Sequence, residues 1–230
     1  MRCALYYAPR PDSGLWRAGS LWLGRDAASG QSLAQPALDG VDPATLADLT
    51  AAAARYGWHA TLKAPFELAP SMDAAGLLAA AARLASGFEP FALTLRVEWL
   101  DDFLALRPAA ASAELEELAA ACTTAMAPWA DPGQALKPRP GLDARQQSLY
   151  RRWGYPFVFE QFRFHMTLSA GLARESALAA SLERGARRHF AGLGPVEVDG
   201  IALFAEMTAG GPFRYLAHCG FDGKVARYGG

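Results

Sequence analysis

The chain has 230 residues, 52% of them hydrophobic and 20% charged, which is the composition of a globular protein with a sizeable core. Its 22 Lys and Arg against 23 Asp and Glu leave a net charge of −1, which disfavours long nucleic acid as a partner, because such proteins carry a basic excess. No apolar run approaches the ~20 residues of a membrane-spanning helix, and no signal peptide is recognisable. Three widely spaced cysteines indicate neither disulfides nor a metal site, so we expect a reduced, cytoplasmic protein.

Apolar runs, capping residues and Gly or Pro stops predict the elements. In chain order they are a strand at 3–8, a Gly- and Ser-rich loop carrying Trp16 and Trp22, a helix at 42–56, a strand at 58–64, a helix at 71–87, strands at 91–100 and 103–106, a helix at 112–126, a Pro-rich insertion at about 128–147, a short helix at 144–153, a strand at 162–170, a helix at 173–191, and strands at 196–204 and 213–221.

The order strand, helix, strand, helix, strand occurs twice along the chain. Such internal repetition predicts an α+β fold of two pseudo-symmetric lobes. We expect each lobe to be an antiparallel sheet with helices outside, and the two lobes to face each other across a central cleft. The chain is then one bilobal domain, with lobe one at about 1–100 and lobe two at about 101–230.

The strands at the centre of each half carry the same short pattern. Residues 59–62 and 165–168 both read His-x-Thr-Leu, and the two histidines are 106 positions apart. Because side chains alternate along a strand, the His and Thr of each pattern share one face, while the residues between them point to the core. A structural histidine is the alternative, but it does not explain why the pattern occurs twice. The candidate site residues are therefore His59, Thr61, His165 and Thr167.

Three further residues are candidates to contact a bound phosphate. Alternation puts Lys63 on the face of the first motif and Arg163 on the face of the second. Tyr7 lies on the first predicted strand and could contact substrate, or pack within the sheet. Lys63 and Arg163 could instead be solvated strand ends. The basic stretch at 137–152 could close over a ligand or form a solvated loop.

Two histidines with two hydroxyl groups suit the cleavage of a phosphodiester. A neutral imidazole can deprotonate the nucleophile, and an imidazolium can protonate the leaving oxygen. Threonine hydroxyls can donate to the phosphoryl oxygens, and nearby cations can offset the developing charge. This chemistry requires no metal or other cofactor. The two motifs are nearly equivalent, so the sequence does not assign the acid and the base.

Nearly the whole chain resembles the two-histidine (2H) phosphoesterase superfamily of RNA ligase and cyclic phosphodiesterase-like proteins, and is most similar to a branch encoded with bacterial phosphonate-utilisation genes. The segments that carry this resemblance are LYYAP at 5–9, LWRAGSLWLG at 15–24, RYGWHATLKAPF at 55–66, WGYP at 153–156 and FRFHMTL at 162–168.

The resemblance implies an enzyme in which His59 and His165 are the acid and base pair, and Thr61 and Thr167 hold the phosphate. It implies metal-independent hydrolysis of a small cyclic phosphate ester, such as a ribosyl cyclic phosphate of phosphonate metabolism. Two alternatives stay open: the processing or ligation of RNA ends, and a non-catalytic module that binds a phosphate ligand. The residues indicate no protein partner.

Overall fold

The computed structural model describes residues 1–229, which form an α+β fold around one large antiparallel sheet. The strands are β1 (Arg2–Tyr7), β2 (Ala60–Glu67), β3 (Phe91–Leu93), β4 (Leu95–Leu100), β5 (Phe103–Pro108), β6 (Met166–Thr167), β7 (Val196–Val198), β8 (Gly200–Glu206), β9 (Phe213–Gly220) and β10 (Val225–Arg227). The helices are α1 (Gly14–Leu23), α2 (Pro43–Tyr56), α3 (Ala74–Ala85), α4 (Ala113–Ala125), α5 (Ala144–Trp153) and α6 (Ala177–His189), with short 3₁₀ turns at Ala127–Trp129 and Phe159–Gln161.

The main sheet has the order β10-β9-β8-β1-β2-β6-β5-β4, and every neighbouring pair is antiparallel. Strands β3 and β7 pair separately. The succession β1, α2, β2, α3, β3, β4 is repeated as β5, α4, β6, α6, β7, β8, and equivalent strands lie at equal distances from the β2–β6 junction. The predicted α+β fold with two similar antiparallel halves is therefore confirmed. The halves share one continuous sheet, in which β4 pairs with β5 and β8 pairs with β1.

Burial is deepest around the centre of this sheet. All seven residues of β8 are buried, and only Arg2 of β1 is partly accessible. Helix α3 packs against β8 and β9, α4 against β2, and α6 against β4. Burial of the apolar residues between these layers is the main stabilising contribution. Within residues 1–229, no helix has both the length and the apolar character needed to cross a bilayer.

The segment around Trp16 and Trp22 is helical, so the prediction of a loop there was wrong. Ser13 caps α1 by accepting a hydrogen bond from the Trp16 N–H, and both tryptophans are buried. The Gly and Ser residues of this segment suggested a loop, but Gly19 has a packing role. A Cβ at Gly19 would lie 2.0 Å from the Trp58 ring, so glycine allows the helix to approach that ring closely.

The strand predicted at 162–170 is much shorter in the structure. Only Met166 and Thr167 belong to β6, and a 3₁₀ turn ends at Gln161. The backbone bond from Leu168 N–H to the Leu104 carbonyl (2.8 Å) continues the contact with β5. The second motif thus begins just before β6, as the first begins just before β2.

Candidate active site

The two His-x-Thr segments run past each other in opposite directions on adjacent strands. Ala60 lies opposite Met166 in the antiparallel β2–β6 pair. One step to either side, this register puts His59 beside Thr167 and Thr61 beside His165. Ala60 and Met166 are fully buried, whereas the four motif residues are half-buried. The structure therefore brings both motifs to one face of the sheet, which we call the motif face.

Each motif histidine is oriented by the same main-chain contact. The His59 Nδ1 lies 2.8 Å from the Gly57 carbonyl oxygen, and the His165 Nδ1 lies 2.7 Å from the Arg163 carbonyl oxygen. A carbonyl can only accept, so Nδ1 carries the proton in both rings and each neutral ring has its lone pair on Nε2. The His59 Nε2 lies 3.4 Å from the Thr61 Oγ1. Both imidazole rings are thus held in the same tautomer.

The motif face favours neutral imidazoles. Burial lowers the pKa of His59 to about 4, and the charge of His165 contributes in the same direction. Burial also lowers the pKa of His165, with further lowering by the guanidinium groups of Arg163 and Arg107 and an opposing effect from Asp101. Because the charge of one ring acts on the other, the two rings are electrostatically coupled.

Tyr6, and not Tyr7, belongs to the motif face. Tyr6 lies opposite Thr61 in the β1–β2 pair, and its ring stacks on that of His59 with centroids 3.8 Å apart. Tyr7 lies opposite Ala60, packs against Phe164 and donates to the Glu197 carbonyl at 3.4 Å. The structure does not bring Tyr7 to the site, since neighbouring residues of a strand point to opposite faces. The sequence showed that only one of these tyrosines could do so, but not which one.

Lys63 does not follow the simple alternation that suggested its role. The register shifts between the pairs Tyr6–Thr61 and Leu5–Lys63, which interrupts the alternation just after the motif. The Lys63 ammonium is buried and donates to the carbonyl of Trp153 at 3.1 Å, at the C-terminal end of α5. Burial lowers its pKa to about 8. A contact between Lys63 and phosphate therefore stays a prediction.

Arg163 contributes its main chain and its charge. Its carbonyl orients His165, while its guanidinium forms an ion pair with Asp101 (3.0 Å) and lies over the Phe157 ring (5.4 Å). This ion pair partly neutralises the cation next to the second motif. A direct contact of Arg163 with phosphate therefore stays a prediction.

Arg107 is a cation near the site that sequence reasoning missed. Its charge lowers the pKa of His165, and its Nε is buried without a hydrogen-bond partner in the described chain. The nearest carboxylate is that of Glu98, whose Oε2 lies 3.5 Å from the Arg107 Nη1. The alternation of side chains along β5, which ends in Leu-Arg-Pro, could have assigned Arg107 to one face of the sheet. The sequence did not show that β5 pairs with the strand of the second motif. Arg107 also lines an open cleft of about 590 Å³ beside β4 and α6.

The lowered pKa of His59 predicts that acid destabilises the protein. The folded-state pKa is about 4 and the ordinary value is 6.5, so the unfolded chain binds the extra proton first as pH falls. The contribution of His59 to the unfolding free energy is therefore fully present above pH 6.5. It decreases by about 3 kcal/mol as the pH falls to 4 and below. We expect His59→Gln to have a flatter dependence of the unfolding free energy on pH, measured by urea denaturation between pH 7 and 4.

Thr61→Ser is the matched control for this experiment. It alters the same motif without removing a titrating group, so it should keep the wild-type slope. If the unfolding free energy of His59→Gln depended on pH as steeply as that of the wild type, the lowered pKa of His59 would be contradicted.

No group of three or more potential metal-ligating residues is found in the part of the chain that the structure describes.

The fold and the site define an antiparallel α+β protein with two His-x-Thr motifs on one face of its sheet. The chain belongs to the family described as "Protein of unknown function (DUF1045)", whose model matches residues 61–214. The match begins at the threonine of the first motif and includes the whole second motif.

Two relatives are longer proteins with the same printed name, "Ribose 1,5-bisphosphate phosphokinase PhnN". The one from Laribacter hongkongensis is 46% identical over 214 residues, covering 93% of this chain and 50% of that protein. The one from a Janthinobacterium species is 38% identical over 235 residues, covering 98% of this chain and 52% of that protein. The chain thus spans about half the length of the curated relatives it matches.

Proposed function

We propose that this chain is an enzyme, a metal-independent phosphodiesterase that hydrolyses a small cyclic phosphate ester by paired-histidine acid and base catalysis. The observation that carries the proposal is the mirrored arrangement of the two motifs. Each imidazole is held through Nδ1 by a carbonyl two residues earlier, and each lies beside the threonine of the other motif. A single structural histidine would not require this symmetry.

The spacing across the two strands suits one phosphate group. His59 and His165 are diagonal neighbours, for which ~7–8 Å is usual. A base and an acid each need a heavy-atom distance of about 2.6–3.2 Å to the oxygen they serve. A phosphorus atom between the rings, with its entering and leaving oxygens on opposite sides, satisfies both requirements. The hydroxyls of Thr61 and Thr167 are then available to the non-bridging oxygens.

We assign the base role to His59 and the acid role to His165. The base must be neutral when it meets water, and burial lowers the pKa of His59 to about 4. Asp101 favours the protonated form of His165. A bound phosphate anion would raise the pKa of both rings, which makes protonation of the acid accessible near neutral pH.

The relatives' name places phosphorylated ribose in the chemistry of those longer proteins. We assign their kinase activity to the half that this chain does not cover. In support, no stretch of the 230 residues has the glycine-rich GxxxxGK[ST] pattern that cradles nucleotide phosphates in many kinases. A ribosyl cyclic phosphate, of the kind expected in phosphonate metabolism, is the substrate we propose for this chain.

A substrate panel tests the function directly. Purified protein is assayed with chelator present against ribosyl 1,2-cyclic phosphates, nucleoside 2′,3′-cyclic phosphates and an RNA with a 2′,3′-cyclic end. We expect turnover of the ribosyl esters to exceed that of the others by at least about tenfold. Preference for RNA with strong salt dependence would favour the RNA-processing alternative. Binding of every ester without turnover would leave the protein a ligand-binding module.

A further inference from the structure

We propose that Arg107 is a further catalytic residue, whose guanidinium binds the non-bridging oxygens of the phosphoryl group at the motif face. The inference rests on the proposed function, because it adds a third kind of side chain to the same reaction. Lys63 and Arg163 are the cations that the sequence suggests for this role, and Arg107 is not among them.

The strand register brings Arg107 to the motif face. Ala105 lies opposite Thr167 in the antiparallel β5–β6 pair, so these two residues share that face. Arg107 is two residues further along β5 and shares the face of Ala105, because side chains alternate along a strand. His165 comes two residues before Thr167. Since the strands are antiparallel, His165 and Arg107 lie towards the same end of the pair.

The charge of Arg107 acts on the second motif histidine. Burial is the main cause of the lowered pKa of His165, and the guanidinium groups of Arg163 and Arg107 lower it further, against an opposing effect of Asp101. The His165 ring in turn acts on His59. A phosphoryl group held between the two imidazoles therefore lies within the field of the Arg107 guanidinium.

The Arg107 guanidinium has donors that the described chain leaves unpaired. Its Nε is buried without a hydrogen-bond partner in residues 1–229, and its contact with Glu98 is long, at 3.5 Å. Glu98 lies closer to Arg96, with 2.7 Å between the Glu98 Oε1 and the Arg96 Nε. Arg96 faces Arg107 across the β4–β5 pair, so two facing guanidinium groups share one carboxylate. A phosphoryl anion would balance the remaining charge and accept from the unpaired donor.

The two cations that the sequence suggested are engaged within the protein. The Lys63 ammonium donates to the Trp153 carbonyl at 3.1 Å, and Arg163 forms an ion pair with Asp101 at 3.0 Å. Either side chain would have to give up its partner to bind phosphate. Arg107 would give up only its long contact with a carboxylate that lies closer to another arginine.

The role of Arg107 follows from where charge develops in the reaction. Water attacks phosphorus and forms one P–O bond while the bond to the leaving oxygen breaks. His59 takes the proton of the water and His165 gives its proton to the leaving oxygen, so the guanidinium gains and loses none. Negative charge accumulates on the non-bridging oxygens, to which the planar guanidinium can donate two parallel hydrogen bonds.

A binding measurement tests the contact without any turnover. Inorganic phosphate is titrated calorimetrically into the wild type, Arg107→Gln and the control Arg187→Gln. Arg187 lines the same open cleft but lies on α6 and pairs with Glu183, so the control removes an equal charge. We expect the Kd to rise at least about tenfold in Arg107→Gln and to be unchanged in the control. An unchanged Kd in Arg107→Gln, or an equal rise in Arg187→Gln, would overturn the contact.

Kinetics on the best cyclic ester distinguish a catalytic role from a structural one. We expect Arg107→Gln to lower kcat at least about tenfold and to move the alkaline limb of the pH profile to higher pH, because loss of the guanidinium charge raises the pKa of His165. Arg107→Lys keeps the charge without the planar fork, so it should keep the wild-type profile with an intermediate kcat and Kd. A slow Arg107→Gln with the wild-type pH profile would mean a structural role only. Wild-type kcat and Kd in Arg107→Lys would overturn binding by the guanidinium, even if Arg107→Gln does not fold.

The two measurements separate this inference from the proposed function. If cyclic esters are hydrolysed and the Arg107 variants behave as the wild type, the proposed function stands and the role of Arg107 is wrong. If no cyclic ester is hydrolysed while Arg107→Gln alone weakens phosphate binding, the proposed function fails and the phosphate contact of Arg107 remains.

Discussion

Replacement of either motif histidine by alanine should lower turnover of the best cyclic ester at least about 100-fold, the usual contribution of one acid or base group. Both histidines lie on the motif face, and each ring is held in the tautomer that leaves Nε2 available. The double variant should be little worse than the single ones, because the residues of one catalytic unit are strongly non-additive. The measurement is kcat under saturating substrate, with circular dichroism to verify folding.

His189→Gln is the control for loss of a histidine. The His189 Nε2 lies 2.9 Å from the Ala18 carbonyl oxygen, and the His189 ring packs near Trp22, away from the motif face. This variant should keep wild-type turnover. Full activity in both His59→Ala and His165→Ala would end the catalytic proposal. A loss in only one of them would support a single catalytic histidine instead of a pair.

Gly57→Ala should destabilise the protein by about 3 kcal/mol or more, the sum of backbone strain and a steric clash. Gly57 has φ 83° and ψ 178°, a conformation that is essentially restricted to glycine. A Cβ at this position would lie 2.6 Å from the Ala27 Cβ. The same residue supplies the carbonyl that orients His59, so activity should fall along with stability. Urea denaturation gives the change in unfolding free energy.

Gly141→Ala separates strain from clash. Gly141 also has a positive φ of 81°, but a Cβ there would have no heavy atom within 4 Å. We expect a cost of about 1 kcal/mol and unchanged kcat on the best cyclic ester. If Gly57→Ala were no more destabilising than Gly141→Ala, the close approach to Ala27 would be tolerated and the packing argument would be wrong.

The sequence predicted the parts of this protein that follow from local periodicity. The alternation of His59 and Thr61 with buried neighbours is present in the structure, and so is the repeated order of strands and helices. It did not predict which side of β1 meets the motifs, because both Tyr6 and Tyr7 are buried aromatics on one strand. That choice depends on long-range register. The shift after Thr61, which redirects Lys63, is a property of two paired strands and is invisible in either strand alone.

Arg107 and Arg139 show a second limit. Both are separated from the motifs in sequence, and their positions depend on how β5 and the segment at 137–157 pack. Pattern analysis found the basic stretch that includes Arg139 but could not distinguish an ordered cation from a solvated one. The distinction comes from two flanking prolines together with two tyrosine rings that come close only in the folded chain.

Strands β4 and β8 each pair with a strand of the other half, which has a consequence for how the chain folds. A cut between β4 and β5 would separate four strand pairs at once, namely β1–β8, β2–β6, β4–β5 and β3–β7. Either fragment alone would expose unpaired edges and only one imidazole. Contacts of such long sequence separation form late, because closing large loops is entropically costly. A nascent chain should therefore bring its two histidine motifs together only after β6 has been synthesised.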